Sequence, residues 1–307
     1  MSSRSFNSKI LLFGEYSVIQ NSMALAMPYS LFSGKLVFSS SENSDRKVDS
    51  ELLEIVKFLK NLNNKGKLLC NFDVTSFEFD VSQGLKFNST IPLGHGIGSS
   101  GALCAALFDR YSDWDDESLK DITSNQIIEL KKILAQMESH FHGKSSGVDP
   151  LISYLDRPLL IEKDGKISIT NLPDYKSQKS IFLLNTGRSR RTEPLVNLFL
   201  EKCKITEFNE KCKNELLPIT NDCIVNFLEG NKESLFEQFA KLSEFQLNYF
   251  DPMIPKLYRE IWREGLASDQ YYLKLCGAGG GGFLMGMAKD FKTVSNLLSN
   301  YQIRALV

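Results

Sequence analysis

A glycine-rich run stands directly before an apolar, helix-forming segment and restricts the backbone there. Residues 92–107 read PLGHGIGSSGALCAAL, with glycines at positions 94, 96, 98 and 101. Glycine weakens both helix and strand, so this run indicates a backbone that must approach something closely. The first turn of a helix offers unpaired N–H groups and a partial positive charge. The run therefore predicts an anion-binding turn at the start of a helix over residues 99–111.

Two familiar nucleotide-binding motifs do not explain this run. The pattern GxGxxG occurs twice, at 96–101 and at 277–282. The first copy follows a poor strand and the second leads into an apolar strand, whereas the dinucleotide fingerprint needs a strand before it and a helix after it. No GxxxxGK[ST] sequence occurs. A Rossmann dehydrogenase and a Walker A loop are both disfavoured, and a tight turn remains the structural alternative for 277–282.

Composition narrows the class of protein. The 307 residues carry a net charge of −1, which gives no support for nucleic-acid binding. No stretch approaches the roughly 20 apolar residues that span a bilayer, and the apolar segment near the N-terminus is too short for a signal peptide. Six scattered cysteines form no CxxC pair. We expect free thiols in a cytoplasmic protein without nucleic-acid or membrane partners; a homodimer stays open.

The hydrophobic pattern predicts an α+β protein. Strands or strand pairs are expected first and long helices later, with a soft boundary between 155 and 180. The expected strands are 5–18, 26–39, 72–81 with a break, a hairpin over 159–169, 181–185, 271–275 and 282–287. The expected helices include 51–62, 99–111 and 124–140. We predict domains at 1–165 and 166–307.

The segment MESHFHGKSSGVDP (137–150) supplies candidate groups for phosphoryl transfer, which needs phosphate donors, a held Mg²⁺, a cation and a proton acceptor. Glu138 ends an amphipathic helix, and Asp149 precedes a proline at the start of another. The plain alternatives are a solvated glutamate and an Asp-Pro helix cap. Lys9 enters the apolar strand KILLF and faces solvent by default. A metal site at His140 and His142 is weakly supported because only three histidines occur.

Four segments in this order resemble the GHMP kinase superfamily, and most closely its mevalonate kinase branch. They are KILLFGEYSVIQNSMALA (9–26), PLGHGIGSSGALCAAL (92–107), ESHFHGKSSGVDP (138–150) and KLCGAGGGGFLMGM (274–287). The resemblance covers nearly the whole chain. It implies an α+β fold with an N-terminal ATP-binding domain and a C-terminal ferredoxin-like domain, and an active site between them.

The resemblance also implies roles for individual residues. The phosphates of ATP would be bound by the first glycine loop, through Gly94, Gly96, Gly98, Ser99, Ser100 and Gly101. Ser100 and Glu138 would hold Mg²⁺. Asp149 would accept or orient the proton of the substrate hydroxyl, and Lys9 would stabilise the developing alkoxide. The implied substrate-binding residues are Glu15, Tyr16, Arg190, Thr192, Gly279 and Gly280.

The implied activity is an ATP- and Mg²⁺-dependent kinase that phosphorylates a small-molecule alcohol, with mevalonate as the first candidate. Where the family has Gly-Glu-His, this chain has Gly14-Glu15-Tyr16, which resembles phosphomevalonate kinases. Phosphomevalonate is therefore the second candidate acceptor. A non-catalytic ligand sensor on the same fold is the alternative from another class, although it need not keep Lys9, Ser100, Glu138 and Asp149 together.

Overall fold

A computed structural model describes residues 4–39, 49–114, 119, 121–173, 180–189 and 193–306 of the chain. The strands are β1 Phe6–Phe13, β2 Ala24–Phe38, β3 Leu85–Ser89, β4 Leu159–Ile161, β5 Ile167–Ile169, β6 Ile181–Asn185, β7 Tyr271–Leu275, β8 Phe283–Ala288 and β9 Gln302–Ala305. The helices are α1 Ser50–Asn64, α2 Val74–Ser82, α3 Ser99–Tyr111, α4 Ser124–His142, α5 Val148–Leu155, α6 Glu193–Cys203, α7 Thr206–Lys211, α8 Leu217–Glu229, α9 Lys232–Tyr249, α10 Arg259–Ser268 and α11 Phe291–Leu297. The predicted α+β class is confirmed.

The chain divides into two compact units. The first consists of Met1–Lys9, Pro28–Pro92 and Gly98–Arg157, and the second of Ile10–Met27, Leu93–Ile97 and Pro158–Val307. Because both units are discontinuous, they do not test the predicted domain limits 1–165 and 166–307, which stay a prediction.

The first unit is built around helix α3. Its residues from Gly101 to Phe108 are buried, so the helix is covered on all sides, and it packs against α4 and α5. This burial explains its apolar composition, because a helix that is apolar all round belongs in a core. In the same unit β3 pairs antiparallel with residues 34–38 of β2.

The second unit contains a four-stranded antiparallel sheet in the order β7-β8-β6-β9. In chain order its described strands and helices alternate as β-α-β-β-α-β, with helices α6 to α10 between the first two strands, which is the ferredoxin-like arrangement that the resemblance implied. β4 and β5 form the predicted hairpin, and β4 also pairs with residues 24–26 of β2. Within the described ranges no helix is long and apolar enough to cross a membrane.

One secondary-structure prediction is wrong. Residues 72–81 were expected to form an interrupted strand, but Val74–Ser82 form helix α2. The Asp73 side chain accepts a hydrogen bond from the Ser76 amide at 2.9 Å and so caps the helix. Val74, Phe77 and Val81 are buried at helical spacing. The change of parity in this segment therefore marked a period near 3.6 residues and not a bulge.

Candidate functional site

The start of α3 presents free backbone donors in the first unit. Gly98 is the N-cap in the left-handed conformation, with φ 79° and ψ 39°. The first bond inside the helix runs from the Ala102 N–H to the Gly98 carbonyl at 2.9 Å, so the amides before Ala102 have no partner within the helix. Among the described side chains, none caps this end, which leaves Ser99 and Ser100 available for other partners. The arrangement fits an anion.

Two glycines allow this helix end to lie against other parts of the unit. A Cβ atom at Gly98 would stand 2.8 Å from Cγ of Lys9. A Cβ atom at Gly101 would stand 2.9 Å from both the carbonyl carbon of Asp149 and the nitrogen of Pro150. Both distances are too short for real atoms. The close approach that the glycines indicated is therefore made partly to the protein itself, to Lys9 and to the start of α5.

Lys9 and Asp149 form an ion pair beside the start of α3. The Lys9 ammonium lies 3.0 Å from Oδ2 of Asp149. Only 10% of the lysine side chain is exposed, against 35% for the aspartate. The default expectation that Lys9 faces solvent is wrong, because the lysine lies against Gly98 and pairs with Asp149. The aspartate keeps an open edge, so its carboxylate can still meet a ligand.

Glu138 is a buried carboxylate held by two serines. Its Oε1 accepts a hydrogen bond from Ser100 at 3.1 Å, and its Oε2 accepts one from Ser145. Burial, together with the charge of Asp149, raises the pKa of Glu138 to about 7. Nε2 of His142 lies 3.2 Å from the Ser100 hydroxyl. A solvated glutamate, the plain alternative, is therefore excluded.

The residues around Glu138 fit a magnesium ion. A carboxylate and a hydroxyl oxygen are the donor types that Mg²⁺ prefers, with further oxygens supplied by water and substrate phosphates. A cation at this position would compensate the buried carboxylate, whose charged form is disfavoured by its surroundings. Throughout the described residues, no three His, Cys, Asp or Glu side chains form a metal-binding group. The predicted metal ligands Ser100 and Glu138 would supply two oxygens, and the rest would come from water and phosphate.

The raised pKa of Glu138 predicts a pH-dependent stability of the metal-free protein. Its usual value is 4.5 and its value in the fold is about 7, so the folded state binds this proton more tightly than the unfolded state. The stabilisation is complete below pH 4.5 and is lost as the pH rises to 7. We expect the loss to be on the order of 2–3 kcal/mol. Glu138→Gln should not show it.

Denaturant unfolding at a series of pH values, in the presence of a chelator, measures this difference. The free energy of unfolding of Glu138→Gln should rise relative to the wild type between pH 5 and pH 8. If the two pH profiles run parallel, Glu138 is ionised in the fold at pH 5 and its raised pKa is refuted.

The second unit contains the other glycine motif, in the turn between β7 and β8. The Gly280 N–H donates to the Met253 carbonyl at 2.6 Å, and the Gly282 N–H donates to the Arg188 carbonyl at 2.7 Å. A Cβ atom at Gly279 would stand 2.4 Å from the Met253 carbonyl oxygen. The turn is therefore held by backbone contacts that only glycine permits. Substrate binding by Gly279 and Gly280 stays a prediction.

Glu15 and Tyr16 lie at the turn after β1 and are both buried in the second unit. The Lys274 ammonium donates a short hydrogen bond to Oε1 of Glu15, and both of these side chains are almost wholly inaccessible to solvent. The Tyr16 hydroxyl donates to the Ala278 carbonyl at 2.6 Å. Each side chain therefore has a partner within the protein, and their predicted contact with substrate is not tested.

The structure distributes the predicted site residues over the two units. The first unit brings together Lys9, Gly98, Ser99, Ser100, Gly101, Glu138 and Asp149. The second unit contains Glu15, Tyr16, Gly94, Gly96, Gly279 and Gly280. Arg190 and Thr192 lie outside the described residues.

Sequence reasoning missed two residues of this arrangement and considered a third only as a weak metal ligand. The missed residues are Ser145, which donates to Glu138, and Lys274, which pairs with Glu15. The third is His142, which contacts the Ser100 hydroxyl. Lys274 carried a signal, since a lysine stood in the otherwise apolar strand YYLKL. A lysine in such a strand needs a buried acidic partner, and Glu15 follows a strand that is equally apolar.

Known proteins resemble this chain over a third to nearly all of its length. Residues 54–157 match the family model of the GHMP kinases N terminal domain. The mevalonate kinase of Archaeoglobus fulgidus is 25% identical over 300 residues, which cover 92% of this chain and 91% of that protein. The mevalonate kinase of Dictyostelium discoideum is 23% identical over 237 residues, covering 69% of this chain and only 60% of the length of that protein.

Solved structures share the fold over nearly the whole chain. The L. major mevalonate kinase in complex with R-mevalonate has a TM-score of 0.63 at 16% identity, covering 97% of this chain and 90% of that one. The Streptococcus pneumoniae phosphomevalonate kinase in complex with phosphomevalonate and AMPPNP has a TM-score of 0.65 at 14% identity, covering 100% and 99%.

Proposed function

We propose that this chain, which resembles the GHMP kinases and among them the mevalonate kinases, transfers a phosphoryl group from ATP to the hydroxyl of a small alcohol. The Lys9–Asp149 ion pair carries the proposal. It stands beside the free amides of α3 and within the unit that also contains the buried Glu138. Donors for phosphate, a carboxylate for a metal, a cation and a proton acceptor are the groups that phosphoryl transfer requires.

Each group has a definite task in this proposal. The start of α3 binds phosphate oxygens through its amides. Asp149 accepts the proton of the alcohol, or orients it, through the open edge of its carboxylate. Lys9 stabilises the negative charge that develops on the alcohol oxygen, from a position in which it is already ordered by the aspartate. Such preorganised charge needs little rearrangement during the reaction.

Ser100 and Glu138 would hold the magnesium ion. When bound, the ion neutralises charge on the phosphate oxygens. The buried Glu138 gives the site a fixed position because its two oxygens already accept hydrogen bonds from Ser100 and Ser145.

Removal of the Ser100 hydroxyl is expected to raise the Mg²⁺ requirement. Ser100→Ala deletes one proposed ligand and also the hydrogen bond to Glu138. We expect the Mg²⁺ concentration at half-maximal activity to rise ~10-fold or more, since losing groups around a metal commonly has an effect of that size. Titration of activity with Mg²⁺ at saturating ATP measures it.

Ser139→Ala is the matched control for Ser100→Ala, because the Ser139 hydroxyl donates within α4 to the Gln136 carbonyl at 2.6 Å. If Ser100→Ala shows the same Mg²⁺ dependence as the wild type and the control, Ser100 is not a ligand of the metal.

Mevalonate is the proposed acceptor, and phosphomevalonate is the alternative. The relatives named mevalonate kinase and the segment HGKSSGVDP support the first. Gly14-Glu15-Tyr16 and the phosphomevalonate kinase among the structural neighbours favour the second. Both molecules carry anionic groups that an arginine can bind. Arg188 follows β6 in the second unit and its side chain is exposed to solvent.

An ADP-release assay with a panel of acceptors tests the proposal. The panel contains mevalonate, phosphomevalonate, homoserine and simple sugars, each at the same ATP and Mg²⁺ concentrations. The highest kcat/KM is expected for mevalonate. A higher kcat/KM for phosphomevalonate refutes mevalonate as the acceptor but still supports the proposed kinase activity. ATP binding without turnover of any acceptor favours the ligand sensor.

A further inference from the structure

Two contacts join the turn Gly14–Tyr16 to the glycine motif Gly277–Gly282 within the second unit. The Tyr16 hydroxyl donates to the Ala278 carbonyl, and the Gly277 backbone lies close enough to the Glu15 carboxylate to act against the rise in its pKa. The Glu15 carboxylate is also bound by Lys274, the residue three positions before Gly277. The first two residues of the motif therefore face this turn through their backbone atoms.

The backbone at Tyr16 shows that this turn is under strain. Its φ of 63° with ψ −42° lies outside the regions that a bulky residue adopts readily. Such a conformation is strained and persists only where surrounding contacts hold it. The contacts are present: the Tyr16 ring packs on Phe199 and Phe250, with centroid distances of 4.8 and 5.2 Å. The strained turn aims the hydroxyl at Ala278.

The far half of the motif is held by backbone bonds and by one threonine. Gly280 and Gly282 donate to the carbonyls of Met253 and Arg188. The Gly282 carbonyl in turn accepts from the Thr186 hydroxyl at 2.8 Å. The near half, at Gly277 and Ala278, faces Glu15 and Tyr16. Glycine-rich backbone has the largest conformational freedom, so we expect the loss of one bond to this motif to loosen the whole turn.

We infer that Tyr16, Glu15 and Lys274 are positioning residues, which fix the conformation of the glycine motif and act on the reaction through it. This inference rests on the proposed kinase function for its kinetic consequence. It assigns Tyr16 and Glu15 a role in place of direct contact with substrate, in keeping with their burial at 4% and 3% exposure.

The test compares Tyr16→Phe with Tyr271→Phe. Both tyrosines are buried in the second unit and donate to one backbone carbonyl, at 2.6 Å from Tyr16 and at 2.7 Å from Tyr271 to Ile261. Each substitution removes one hydroxyl and keeps the ring. Only the first bond ends in the glycine motif, so the pair separates an effect on the motif from a general loss of stability.

Hydrogen exchange of the substrate-free protein, measured by mass spectrometry, is the first readout. In Tyr16→Phe, peptides covering 276–283 are expected to exchange about five- to tenfold faster, while peptides of β7 and β8 stay unchanged. Tyr271→Phe should leave 276–283 unchanged. Equal exchange of the motif in both variants overturns the inference. This readout needs no turnover, so it stands even if the protein proves not to be a kinase.

Steady-state kinetics with the best acceptor is the second readout. Because the motif would be displaced and not removed, Tyr16→Phe should lower kcat about tenfold or more and leave both KM values within about twofold. Faster exchange of the motif with unchanged kcat overturns its role in the reaction. A raised acceptor KM with unchanged exchange restores Tyr16 as a substrate contact and also overturns the inference.

Discussion

Asp149→Asn is expected to lower kcat by roughly 10²–10⁴-fold, the range that general-base assistance contributes. The substitution removes a proton acceptor and a negative charge but hardly changes volume. It also leaves Lys9 without its partner at 3.0 Å, so the cation that should stabilise the alcohol oxygen is no longer held. Both effects act on the transition state, and the dissociation constant for ATP should stay nearly the same.

The free energy of unfolding of Asp149→Asn should change little, since more than a third of the aspartate side chain is exposed and such pairs contribute up to about 1 kcal/mol. Asp156→Asn is the matched control at the other end of α5. Its carboxylate accepts a hydrogen bond from Asn7 at 2.8 Å and is exposed. Single-turnover rates and ATP binding should be measured for both. If Asp149→Asn lowers kcat by well under tenfold, Asp149 does not accept or orient the proton of the alcohol.

The glycine run before α3 predicted more of the site than any other segment. Four glycines before an apolar run indicated a close backbone approach and a helix start, and the structure has both at Gly98 and Gly101. What the run could not reveal was the identity of the neighbours. The contacts of Gly101 with Asp149 depend on how α3 packs against α5, which is a tertiary property.

Residues 72–81 show where local pattern failed. Their apolar positions fitted an interrupted strand and a short helix about equally well. The deciding interactions are the Asp73 cap and the burial of one face of α2. Single short segments with an ambiguous period are therefore decided by packing and capping, which hydrophobicity alone does not express.

The partners of the buried charged side chains also could not be predicted from the sequence. Glu138 and Asp149 were candidates from the residues alone and received their roles from the resemblance, whereas Ser145 is recognised only from its bonds to Glu138 and to the Gly147 N–H, the latter at 2.9 Å. Lys274 and Glu15 are 259 positions apart in the chain. No spacing rule joins such residues, although each one alone was unusual for its apolar strand context.

The buried pair of Lys274 and Glu15 leads to the largest expected change in stability. Both side chains are almost fully inaccessible, at 0% and 1% exposure, and burial raises the pKa of Glu15 although Lys274 acts against that. Removing one partner leaves a charge in the core without compensation. Lys274→Met and Glu15→Gln are each expected to lower the free energy of unfolding by about 3–5 kcal/mol.

The double variant Glu15→Gln/Lys274→Met should recover much of that loss, because it removes both charges and keeps similar volumes. The expected coupling between the two sites is therefore large and favourable, on the order of 2–3 kcal/mol. Denaturant unfolding of the wild type, both single variants and the double variant at one pH gives this value. Two single effects that simply add in the double variant would show that the pair is not coupled.

Stability and activity are expected to separate in this double variant, and that separation follows from the geometry. Glutamine at position 15 keeps a carbonyl oxygen that can face the Gly277 backbone, but a methionine cannot bond the Leu275 carbonyl, to which Lys274 donates at 2.6 Å. Strand β7 would keep its place through the Leu275 N–H, which donates to Gln246 at 2.7 Å. The glycine motif would lose the charged anchor at its start. We therefore expect a folded double variant whose kcat stays at least about tenfold below that of the wild type. Wild-type kcat in a stable double variant would show that the ion pair serves folding alone.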